Sequence, residues 1–80
     1  MPDLLNDVRC RIQQLEERRR VLRTTAERCV TMVHVRHLTG RDAAALIAES
    51  SIANAHAQCL TVEIYALRAM VGVSAHDARS

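Results

Sequence analysis

The feature that most constrains this chain is an unbroken apolar repeat in its first half. Leu5, Val8, Ile12, Leu15, Leu22, Ala26, Cys29 and Val33 follow one another at steps of three, four or seven residues. That is the a/d pattern of a heptad seam, with Arg19 occupying one a position. Pro2 suits the first turn of a helix, and Asp3 and Asp7 favour its positive end. The spacing predicts one helix from about residue 3 to about residue 37, roughly 50 Å long at 1.5 Å per residue.

One strong break follows, Leu38-Thr39-Gly40-Arg41-Asp42. Gly40 is expected to take the left-handed conformation that ends a helix, and Thr39 with Asp42 resembles a capping box for the next one. A turn over 38–41 then leads into a second helix from about residue 42 to about residue 71, rich in alanine, the best helix former. Its apolar residues fall on two stripes. One reads Ala45, Ala48, Ile52, Ala55, Cys59, Val62, Ala66, Ala69, Val73; the other reads Leu46, Ala53, Leu60, Ile64, Leu67, Val71. A line of Glu49, His56 and Glu63 separates them, and Ser50, Asn54, Gln58, Thr61 and Arg68 make a polar face. Residues 74–80, beyond Gly72, are expected to form a frayed or disordered tail, leaving 1–73 as the hairpin domain.

The fold class is therefore all-α, two long antiparallel helices joined as an αα-hairpin. Tyr65 is the only aromatic residue, so a core must come from Leu, Ile, Val, Ala, Met and Cys. A chain of 80 residues buries a low fraction of its surface and often needs oligomerisation. Two stripes on the second helix need two neighbours, and the hairpin supplies one. A homodimer forming a four-helix bundle is the economical expectation. Candidate interface residues are Arg19, Glu49, Ile52, His56, Cys59 and Glu63. Arg19 either fixes the register from within the seam or extends its head toward Glu16 or solvent.

Charge is uneven along the chain. Residues 1–38 carry eight Arg against five acids, residues 39–80 three Arg against four acids, and there is no Lys. Arginine without lysine fits forked contacts to phosphate or carboxylate, and coding bias explains it equally well. Candidate nucleic-acid contacts are Arg9, Arg11, Arg18, Arg20, Arg23, Arg28 and Arg36. Arg11 and Arg18 lie on one flank of the seam with Arg36 roughly in line, Arg9, Arg20 and Arg23 on the other, and Arg28 on the outer face. A helix of about 50 Å exceeds one turn of duplex DNA, about 34 Å. The lack of aromatics for base stacking favours duplex backbone over single strands.

In layout the hairpin resembles the plasmid copy-number Rop proteins and the nodaviral RNA-silencing suppressors that lie along double-stranded RNA. The resemblance covers the hairpin alone, shares no motif and carries over no residues. It implies a small viral or plasmid regulator acting as a homodimer on double-stranded RNA or DNA, with RNA favoured. The alternative is a protein-binding adaptor or inhibitor, a phage or viral antagonist that offers a helix face to a host protein.

Chemistry of other kinds is not expected. Cys10, Cys29 and Cys59 are odd in number and widely spaced, which is no disulfide framework. Cys29 and Cys59 read as core residues and Cys10 as exposed. A reducing, cytoplasmic setting is the simpler one. His34 with His37, and His56 with Cys59, have metal-ligand spacing, but a hairpin keeps the two pairs apart, so no metal is expected. Glu49, His56 and Glu63 lie about 10 Å from one another along a helix, too far to share a substrate atom. The chain is read as a non-enzyme without cofactor, and no apolar run is long enough to span a membrane.

Overall fold

A computed structural model describes residues 3–79, with side chains through residue 72. It contains two helices, α1 (Leu4–Val35) and α2 (Gly40–Arg79), packed antiparallel as a rod of 60 × 18 × 15 Å. The all-α hairpin expected from the heptad pattern is the fold.

Local chemistry sets the ends of α1. Asp3 is the N-cap, its carboxylate accepting the Asn6 N–H at 3.2 Å, with Asp7 in the first turn. Pro2 lies outside the described residues. At the other end the Leu38 N–H bonds the Val33 carbonyl at 3.0 Å, and the His37 N–H bonds the His34 carbonyl at 3.3 Å. This crossed pair is a Schellman closure, which normally places glycine in the left-handed position. Here that position is His37, at φ 51°. Gly40 was the expected terminator. Its φ is also positive, 63°, but it opens α2 instead. The closure folds Leu38 back toward Val33, and both are half-buried. The backbone closure thus ends α1 before the glycine is reached.

α2 begins at Gly40, near the expected start, and continues through Gly72 to Arg79. The sequence reading ended it at about 71 and made 74–80 a tail. Gly72 does not have a positive φ, and an interior glycine costs about 1 kcal/mol relative to alanine, too little to stop a helix. Ser80 lies outside the described residues.

The seam between the helices is a heptad on both sides. From α1 it takes Leu5, Val8, Ile12, Leu15, Arg19, Leu22, Ala26, Cys29 and Val33, all buried or half-buried. From α2 it takes Ala43, Leu46, Ser50, Ala53, Ala57, Leu60, Ile64, Leu67 and Val71, likewise. The α2 set is the second sequence stripe completed by Ala43, Ser50 and Ala57. Ser50 had been grouped with the polar face and is in fact buried. The main cluster, Ile12, Leu15 and Ile64 backed by Val8, Leu60, Leu67 and Val71, lies toward the open end of the hairpin. Toward the turn the buried side chains are smaller: Ala26, Cys29, Ser50 and Ala53.

Among the described residues Ile64 is the only large side chain that is fully buried. Truncating it removes contacts that nothing else supplies, so Ile64→Ala is expected to cost about 3 kcal/mol in urea unfolding. The turn gives a second expectation. His37→Gly relieves a left-handed side-chain conformation and stabilises by about 1 kcal/mol, whereas Gly40→Ala introduces one and destabilises by a similar amount. Thermal midpoints of the two variants should therefore move in opposite directions.

Candidate functional site

The arginines of α1 divide by what the hairpin does with them. Arg19 is half-buried in the seam, and its Nη1 donates to Thr61 Oγ1 at 3.2 Å. The Thr61 hydroxyl in turn donates to the Ala57 carbonyl at 3.0 Å. Assigned from sequence to a contact between subunits, Arg19 thus has a partner within its own chain. Arg20 donates from Nε to Glu17 Oε2 at 3.0 Å, and its second arm meets the same carboxylate. That hydrogen bond holds the Glu17 carboxyl below its usual range and raises the Arg20 guanidinium. Arg11 Nη2 lies 3.9 Å from Glu63 Oε1, and on the opposite flank Arg68 pairs with Glu16.

These pairs are solvent-exposed and contribute little to stability. Their consequence is electrostatic: each cancels a positive charge where a polyanion would need one. Arg9, Arg18, Arg23, Arg28 and Arg36 are exposed and make no ion pair with a described residue. They do not share a face. Arg9 and Arg23 lie on one flank of the seam, Arg18 on the other, Arg28 outward and Arg36 at the C-cap. The densest basic stretch, Glu16–Arg23, borders a shallow groove of about 540 Å³ whose charged lining is Glu16, Glu17, Glu27, Arg19, Arg20 and Arg23. That groove is mixed in charge and not basic.

A different groove, of about 390 Å³, lies on α1 nearer the turn. Met32 and Val35 supply its apolar lining, Thr24 and Thr31 its small residues, and Arg28, Arg36 and Glu27 its charges. Val35 is 71% exposed. The heptad does not mark this site, because Met32 and Val35 fall outside the a/d stripe.

The candidate interface residues of α2 also separate. Glu49 turns toward α1, where the Cys29 thiol donates to its Oε2 at 3.7 Å. Burial, reinforced by the Glu49 carboxylate, pushes the Cys29 thiol up. Glu63 reaches Arg11, as above. Ile52, His56 and Cys59 are exposed. Cys59 had been read as core, but it belongs to the stripe facing away from α1. Cys29 is buried and Cys10 exposed, as the pattern indicated.

His34 closes α1 and His37 lies in the turn, while His56 and Cys59 sit midway along α2. Among the described residues no three His, Cys, Asp or Glu side chains converge on a common point, and no helix is long and apolar enough to cross a membrane. No family model matches the chain, and neither a curated protein nor a solved structure matches it.

The two cysteines of α1 give a direct check on this geometry. Alkylation needs the thiolate, so Cys29 is expected to react about tenfold or more slowly than Cys10 at pH 8. Glu49→Gln removes the smaller cause and leaves the burial, so it should speed Cys29 only slightly. Peptide mapping after timed alkylation reads both rates.

Proposed function

We propose that this chain is a non-enzymatic adaptor or inhibitor that binds a protein partner through the outer face of α1 near the turn. The observation that carries this is the groove around Met32 and Val35, an apolar patch rimmed by Arg28 and Arg36. Methionine and arginine are enriched in the cores of protein interfaces and lysine is depleted, which matches a surface built with arginine and no lysine. The lining comes from α1 alone, so the site is a shallow patch, and the apolar face of a partner helix with an acidic residue to meet Arg28 or Arg36 suits it. Three free thiols accord with a reducing, cytoplasmic setting for that encounter.

Duplex nucleic acid is the second reading, favoured by Arg9, Arg18, Arg23, Arg28 and Arg36, which are exposed and make no ion pair with a described residue. It ranks lower because they point several ways and because Arg11 and Arg20 are matched by acids. Two experiments separate the readings. With a partner captured by the full chain, Met32→Glu with Val35→Glu should weaken binding about tenfold or more at unchanged helicity. The triple change Arg18→Gln, Arg20→Gln, Arg23→Gln should leave it in place. In a gel shift, micromolar protein should not retard a short RNA duplex at low salt. A shift whose affinity falls steeply between about 50 and 200 mM salt would reverse the ranking.

A further inference from the structure

α2 is apolar on two sides, and the hairpin covers one. The seam heptad runs Ala43 to Val71; a second heptad, Ala45, Ala48, Ile52, Ala55, Cys59, Val62, Ala66 and Ala69, runs beside it two residues out of step. All eight are exposed in the hairpin, Ile52 at 61% and Val62 at 64%. None carries a charge. A shift of two residues at 3.6 per turn puts this stripe about 160° round the helix from α1. It extends about 36 Å along the axis at 1.5 Å per residue.

The elongated hairpin leaves surface that an association would cover. The hairpin exposes 6312 Å². A compact monomer of 8.9 kDa exposes about 4,800 Å². The excess of about 1,500 Å² exceeds the roughly 800 Å² per partner that a standard stable interface removes. The stripe also suits itself. Its side chains read small-small-large-small, then small-large-small-small, the same in either direction. An antiparallel copy therefore sets Ile52 of each chain level with Val62 of the other, Ala55 against Cys59 between them, and alanine against alanine outside them. The acids nearest the stripe are already turned aside, Glu49 toward Cys29 and Glu63 toward Arg11.

We propose that a second copy of this chain packs on the outer stripe of α2, joining two hairpins into a flat layer ordered α1–α2–α2–α1. The sequence suggested a four-helix bundle, but a square bundle needs the two apolar stripes of a helix about 90° apart, and these are nearly opposite. The layer leaves the outer face of each α1 open, so this contact and the α1 groove operate independently. A trapped second copy uses no residue of the Met32–Val35 groove.

The wild-type chain carries its own probe, since Cys59 lies in the proposed contact and Cys10 does not. As protein concentration rises through the dimerisation range, Cys59 alkylation should slow about tenfold or more while Cys10 is unchanged. A Cys59 rate that does not fall with concentration would overturn the proposal. Ile52→Glu with Val62→Glu should weaken self-association at least a hundredfold at unchanged helicity, since both residues are exposed in the hairpin. Val21→Glu, on the outer face of α1, should leave it intact. A dimer that survives the double change rejects the stripe. Solution scattering reads the arrangement without substitution. With neighbouring axes about 10 Å apart, the flat layer has a cross-section radius of gyration of about 12 Å, against about 8 Å for a square bundle. The smaller value would overturn the layer.

Discussion

Everything in this molecule depends on a seam that is one side chain deep. Two helices in contact can bury only one stripe each, and the stripes here are built largely from leucine, alanine and valine. Ile12, Leu15 and Ile64 form the densest cluster, and toward the turn the seam thins to Ala26, Cys29, Ser50 and Ala53. A contact so narrow holds the hairpin in register more than it encloses a core. Arg19 illustrates the consequence. Placed in a seam position, it is not excluded but leans across to Thr61 of the facing helix. A thicker core would make that desolvation costly.

The same thinness shapes what the surface can do. Because opposing flanks of the helices lie close, acids and arginines meet across the seam, as in Arg11 with Glu63 and Arg68 with Glu16. The positive charge of the first half is thereby broken into isolated arginines. A polyanion follows a continuous basic track, and this surface does not provide one. Apolar area behaves differently. It persists on the outer side of both helices, near Met32 and Val35 on α1 and along the whole middle of α2. This surface is the basis for proposing association with protein, including with the same chain.

Sequence and structure agree where a residue's chemistry and its position say the same thing. The α1 seam was legible in full because its apolar residues and the heptad coincide, and even Arg19 appears there as a misfit at a predictable place. The α2 seam was legible in part. Ser50 interrupts its apolar appearance, and only strict 3–4 spacing from Ala43 to Val71 restores it and brings in Ala57. The neighbouring stripe had the more regular look, yet it is the exposed one. Two heptads out of step on one alanine-rich helix cannot be ranked by pattern, since the choice depends on bulk, and Leu46, Leu60, Ile64 and Leu67 outweigh Ile52 and Val62. The turn misled for a local reason. Glycine is the usual left-handed terminator, but His37 takes that conformation here, and the Leu38 N–H closes on the Val33 carbonyl. Which arginines find acids required the register between helices, and the sequence of either helix alone does not contain it.

The central claim is that α2 is a helix with two covered faces, one by its own hairpin and one by another copy. Sedimentation equilibrium of the unmodified chain tests it most directly. At tens of micromolar the chain is expected to have twice its monomer mass of 8.9 kDa and to dissociate on dilution. A mass that stays at 8.9 kDa at all such concentrations would contradict it.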